Sequence, residues 1–230
     1  MQYVLPFPHS PQYQAVDFLR ADSNAEALAW VEHTGDWPQR RLALWGPAGC
    51  GKTHLAHIWA RRQGALLVPG PALRLAPPER PLAIDDADAA PERPLLHTLN
   101  AAAEAGLPVL LASVDAPARW PVRLPDLASR LRAITAVQIH VAEDSLLQAL
   151  LARLLSERQM AVSEPVQQFL LLHLPRTPSA IREAASRLDH ASFVAGGRAN
   201  RTVAAAVLAG MTGFDDSLTA PESPLAPLLL

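Results

Sequence analysis

The chain has 230 residues, half of them hydrophobic, which fits one large domain or a domain with a small lid and excludes a disordered chain. Its formal net charge of −2 provides no global basic field for non-specific duplex binding. A single cysteine, Cys50, excludes an internal disulfide framework, and runs such as LPVLLASV and FLLLHL fall far short of the roughly 20 residues of a membrane helix. No positively charged region or long apolar stretch opens the chain, so no signal peptide is expected and the protein reads as cytoplasmic, without a membrane partner.

The first segment is MQYVLPFPHSP, with four apolar residues at an end where disorder is the default. RLALW (41–45) follows as an apolar run of strand length. GPAGCGKT comes directly after it and fits G-x-x-x-x-G-K-[ST], and a helical pattern carrying Leu55, Ile58 and Trp59 then begins. Strand, glycine-rich loop and helix form the context of a phosphate cradle. The backbone of Gly46, Pro47, Gly49, Cys50 and Gly51 wraps phosphate oxygens, and the helix start at Lys52, Thr53 and His54 adds N–H donors. Lys52 reaches the terminal phosphates and Thr53 offers its hydroxyl to Mg²⁺. Nineteen of the 20 basic residues are arginine, and Lys52 is the one lysine, so a compact ammonium is retained where a guanidinium fork would not serve. Cys50 is expected to donate from its backbone rather than act as a nucleophile.

ALLVP (65–69) reads as a strand. PLAIDDAD supplies the apolar strand ending in acids that such a site needs, about 30 residues past the loop. Asp85 would hold Mg²⁺ and Asp86 would polarise the attacking water. LLHTLNAAAEAG (95–106) is expected as a helix, LPVLLAS (107–113) as a buried strand, PDLASRLRA (125–133) as a short helix and TAVQIHV (135–141) as a strand. The alternation predicts a parallel α/β sheet with crossover helices. Beyond Glu143, four helical patterns follow (143–159, 163–174, 177–195 and 200–210), several opening on Asp, Ser or Thr caps. The expected organisation is an extended peptide (1–12), an α/β nucleotide-binding domain (13–141), a small all-helical lid (142–210) and a flexible Pro- and Ser-rich tail (211–230).

A sheet domain bearing this loop and followed by a helical lid resembles the AAA+ ATPases. DFLRADSNAEALAWV, LLHTLN and the double acid of LAIDDAD resemble segments of the DnaA-related group. LPDLASRL closely resembles the arginine-finger helix of the Hda-like regulators within it, and SAIREAASRL the group's sensor II helix. The similarity spans roughly residues 13–209. It implies that Arg130 is an arginine finger reaching a neighbouring subunit's nucleotide, and that Arg182 contacts the phosphates of the chain's own ADP or ATP. Arg187 lies off that face and is expected to be structural. Adenine contacts are sought among Tyr13 to Phe18.

The pattern departs from the group at three places. LLASVDAP puts Val114 in the slot of the polar sensor I residue, and Ser113 or Asp115 could substitute only with a register shift, so weak hydrolysis in the chain's own site is expected. The connection GPALRLAPPERP is too short for the initiator's helical insertion, and no basic recognition helix is found. QYVLPF resembles the short peptide by which replication proteins dock on the β sliding clamp, with Gln2, Leu5 and Phe7 in its key places and Pro6 stiffening the segment. The competing expectation is an N-terminal strand tucked onto the protein's own core. Together the resemblances imply a regulator that meets DNA only through the clamp and promotes hydrolysis of ATP on the DnaA initiator. A self-contained ATPase such as a helicase loader, and a clamp-docked adaptor with a purely structural nucleotide, are the alternatives. Self-association into a homodimer is left open.

Overall fold

The computed structural model describes residues 13, 15–194 and 199–211. The expected clamp peptide lies outside the described residues, as does the expected tail from residue 212 on. The described chain divides into two compact units, one of residues up to Leu146 with Thr177–Ser179, the other of Leu147–Arg176 with the residues from Ala180.

The first unit is built on a parallel sheet of five strands: β1 (Arg41–Trp45), β2 (Leu66–Pro69), β3 (Leu82–Asp85), β4 (Val109–Ser113) and β5 (Thr135–Gln138). Their spatial order is β2-β3-β4-β1-β5, and every pairing is parallel. Side chains alternate across the sheet. Leu42 and Leu44 of β1, with Ala83 and Leu110, belong to the core on one face, under α1 (Ala25–Glu32) and α2 (Lys52–Gln63). Ala43, Ile84, Val109 and Leu111 belong to the core on the other face, under α3 (Glu92–Glu104) and α4 (Pro125–Arg132). Both faces are covered, which is why the central strands read as continuous apolar runs rather than alternating ones. The apolar face of α3 is written as Leu95, Leu99 and Ala102, at helical spacing, and all three are buried.

The last strand stops short of its pattern. TAVQIHV alternates through Val141, but β5 ends at Gln138. Ile139 still donates to the Trp45 carbonyl at 2.8 Å, after which the His140 N–H turns to the carbonyl of Ser23 at 2.9 Å. The competing backbone partner, not the side-chain pattern, ends the strand.

The second unit contains most of α5 (Asp144–Glu157), α6 (Glu164–His173), most of α7 (Pro178–Val194) and α8 (Arg201–Ala209). Its core is aliphatic, with Leu151, Leu170, Ala184, Leu188 and Ala204 each fully buried. The side chain of Asn200 accepts the Val203 N–H at 3.0 Å and caps α8. Arg187 pairs with Glu183 at 2.6 Å and donates to the Gly210 carbonyl, tying α7 to the end of α8, which accords with a structural role. No helix among the described residues is long and apolar enough to cross a membrane.

Candidate nucleotide site and the arginine at the opposite sheet edge

The glycine-rich loop leaves the carboxyl end of β1, where the chain must turn sharply into α2. Gly46 sits at φ +152° and Gly51 at φ +114°, backbone conformations that L side chains rarely adopt. A Cβ on Gly46 would lie 2.3 Å from the Ile139 carbonyl oxygen, and one on Gly51 would lie 3.3 Å from the ring of Phe18. Bare backbone is therefore required at both corners, and a glycine-rich turn of this kind can bring successive N–H groups together as an anion cradle. Gly51 caps α2, so the first N–H groups of that helix, through His54, have no intrahelical acceptor.

Lys52 is 8% exposed, and its ammonium donates to the carbonyls of Gly46 at 2.8 Å and Pro47 at 2.9 Å, across the mouth of the loop. The Thr53 hydroxyl donates to Oδ2 of Asp85 at 2.8 Å. A hydroxyl and a carboxylate from elements 32 residues apart thus converge at the start of α2, as a hard cation with oxygen ligands requires. Asp86 follows at φ +50°, exposed, with its carbonyl 2.0 Å from where a Cβ on Gly70 would stand. Aspartate tolerates the left-handed region better than most residues. Gly70 is a site residue that the sequence reading missed, since its need is visible only once two distant backbones touch. Gly70→Ala is expected to lower stability by about 1–3 kcal/mol through overpacking and to displace Asp86. Thermal melts and turnover assays read both effects, with nucleotide binding retained.

Burial pushes the Cys50 thiol up, and nearby Lys52 opposes this only in part, so the group stays a thiol near neutrality rather than a thiolate nucleophile. His54 is buried with its ring edge-on to Tyr13 and Phe18, while Tyr13 stacks on His57 at 4.3 Å. Tyr13 and Phe18, two of the sought adenine neighbours, therefore gather over the first turns of α2. β4 stands between the strand that feeds the loop and the strand that ends in the acids, with Ser113 level with Trp45. The Gly46 N–H donates to the carbonyls of both Ser113 and Val114. The hydroxyl of Ser113 is fully buried and donates to the Asp115 carbonyl at 2.7 Å, and the Val114 side chain is exposed. Arg119, which the sequence reading did not single out, lies over the Trp45 ring at 5.8 Å, beside the loop. Arg182 lies in α7, half-buried.

Arg130 is on the last turn of α4, just before β5 begins. Strands run in parallel, so this is the amino-terminal edge of the sheet, and the loop is at the carboxyl-terminal edge. The five residues of β1 put about 15 Å between the two edges. The α4 entry is held by Glu92, whose carboxylate accepts the N–H groups of Arg123 and Leu124, each at 2.9 Å. Those two bonds hold the Glu92 carboxyl below its ordinary value of 4.5. A depressed pKa in the folded state adds stability above 4.5 that disappears as pH falls through the folded value. Glu92→Gln is therefore expected to melt below the wild type at pH 7, with the gap closing under acid. Melts from pH 7 to pH 3 check the sign.

No family description and no curated relative matches the sequence. Solved structures do match. Domain III of the replication initiation protein DnaA from Thermotoga maritima superposes with a TM-score of 0.73 at 17% identity, covering 89% of this chain and 98% of that one. The chain has the AAA+ fold of that DnaA domain. AMPPCP-bound DnaA from Aquifex aeolicus gives 0.66 at 18% identity, with 80% of this chain and 67% of that chain covered. The branch migration motor RuvB of T. maritima gives 0.63 at 19%, with 86% and 72% covered. At these identities the AAA+ likeness is one of fold.

Proposed function

We propose that this chain is a nucleotide-binding regulator of replication initiation, which docks on the β sliding clamp and promotes hydrolysis of DnaA-bound ATP through Arg130 in trans. The observation that carries this reading is the location of Arg130: a guanidinium a full strand length from its own glycine-rich loop can meet a phosphate held by another chain, but not one cradled at home. In that role Arg130 neutralises charge developing on the γ-phosphate of the initiator's ATP, by position and charge alone.

The chain's own loop fits ADP or ATP. Gly46, Gly49 and Gly51 form the cradle, Lys52 takes the outer phosphates, and Thr53 with Asp85 fits Mg²⁺, which supplies charge neutralisation when bound. One of the similar structures, DnaA from A. aeolicus, is bound to AMPPCP, which supports the same ligand class here. An apolar Val114 beside the loop and a Ser113 hydroxyl already engaged favour slow turnover at home, so the bound nucleotide orders the loop more than it fuels work. The assembled Thr53–Asp85 pair is the feature that favours the second reading, an ATPase in its own right. That reading demands substantial hydrolysis by the purified chain alone, abolished by Asp86→Asn.

Gln2, Leu5, Pro6 and Phe7 supply the anchor, and tethering raises local concentration near loaded clamps so that a weak direct contact with the initiator suffices. The test is hydrolysis of labelled ATP on DnaA with clamp loaded on DNA. Deleting residues 2–7 is expected to remove the clamp-dependent part of the stimulation, with the intrinsic nucleotide affinity unchanged. Equal stimulation by the deletion variant would sink the docking half of the reading.

A further inference from the structure

The sheet edge opposite the loop carries a second concentration of positive charge. A cavity of about 390 Å³ opens there, between the turn that precedes β1, the end of α3, and α4. Arg40, Arg41 and Arg130 all line it, none of its lining residues is acidic, and apart from Gln39 the remaining wall is small or aliphatic, as at Ala102 and Gly106. Arg41 is 4% exposed and donates to the Leu99 carbonyl at 2.8 Å, which leaves the rest of its fork unassigned to that bond. Burial lowers its pKa, and the nearby Arg130 lowers it further, so two guanidinium groups are held near one another against their repulsion. The Nε of Arg130 is buried and has no hydrogen-bond partner among the described residues, an arrangement that costs stability unless an acceptor enters. At the rim, Gln39 and Arg40 both adopt left-handed backbone, at φ +52° and +56°. Consecutive side-chain-bearing residues in that region are strained, and strain of this kind concentrates at binding sites.

We infer that this cavity is an oxyanion site that takes a phosphoryl group, with Arg41 and Arg130 as its forks and Arg40 closing the rim. Planar guanidinium donors suit tetrahedral oxyanions, and charge-assisted bonds of this kind are the strong ones. The site shares Arg130 with the trans action proposed above but does not rest on it, because a free anion needs no second protein. The same chemistry is offered by inorganic diphosphate and by the terminal phosphates of a nucleotide presented from outside.

The decisive measurement is calorimetric titration of the full chain carrying Lys52→Ala, so that the glycine-rich loop no longer dominates phosphate binding. Inorganic pyrophosphate and ATP are titrated in parallel at fixed ionic strength. One-site binding of pyrophosphate is expected to persist, to weaken about tenfold with Arg41→Gln and to weaken measurably with Arg40→Ser. ATP binding with the same dependence on both arginines assigns the source to nucleotide phosphates, and binding of pyrophosphate alone assigns it to the free anion. Absence of binding in the Lys52→Ala chain overturns the inference, as does affinity indifferent to Arg40 and Arg41, which marks an adventitious ion only. Should Arg41→Gln fail to fold for want of its bond to Leu99, the exposed Arg40→Ser decides, and unchanged affinity there overturns the site.

Discussion

Arg130→Ala is expected to lower stimulation of DnaA-bound ATP hydrolysis by about 10³-fold or more, while leaving the chain's own nucleotide affinity intact. The size follows from what a finger does: it adds a full positive charge, in a site closed to water, at the moment charge builds on the transferred group. The selectivity follows from geometry. Arg130 stands at the amino-terminal edge of the sheet, so its removal leaves Lys52, Thr53 and Asp85 untouched at the other edge. Little loss of folding stability is expected either, because truncation relieves repulsion with Arg41 and removes a buried, unpartnered Nε. Arg130→Lys keeps the charge without the fork and should recover only part of the effect. Single-turnover hydrolysis on purified initiator, with clamp on DNA, measures all three proteins. Stimulation by Arg130→Ala equal to that of the wild type would end the proposal.

Lys52→Ala is expected to remove most of the ATP-dependent stabilisation of the chain. At nucleotide about 100-fold above its dissociation constant, binding adds about 2.7 kcal/mol, or a rise of about 5–10 °C in melting temperature for a protein of this size. Without the ammonium, the outer phosphates lose the strongest donor the loop has, and the melting temperature should respond to ATP far less than in the wild type. The unliganded protein should melt close to the wild type, since among the described residues the Lys52 ammonium bonds to loop carbonyls and the Cys50 sulfur. Scanning fluorimetry with and without Mg-ATP reads both quantities. An undiminished ATP shift in Lys52→Ala would place nucleotide binding elsewhere in the molecule.

Much of the architecture was legible because it is local. RLALW and LAID are short apolar runs bounded by a glycine turn and an acidic turn, and both became central strands with the expected limits. The short helix expected over PDLASRLRA (125–133) is α4, Pro125–Arg132, with proline at its first position and Leu127 and Leu131 buried. The end of β5 was not legible, because His140 is diverted by the Ser23 carbonyl more than 100 residues earlier in the chain. Glu92 and Gly70 escaped for a related reason. Glu92 reads as an acid in the first turn of a helix, and only the fold brings the N–H groups of Arg123 and Leu124 onto it. Gly70 reads as one more turn glycine until the backbone of Asp86 arrives against it.

By itself the sequence determined the glycine-rich loop, the two acids and the αβ alternation, since each depends on residue type and spacing within a few turns of chain. Only the tertiary structure decided which end of the sheet each charge occupies: Thr53 against Asp85 at one edge, and Arg130 with Arg40 and Arg41 at the other. Spacing along a chain sets which groups can share an element, but strand order and direction set which groups can share a phosphate. In a parallel sheet those two edges lie a whole strand apart, so Arg130 and the glycine-rich loop of one chain do not share a phosphate.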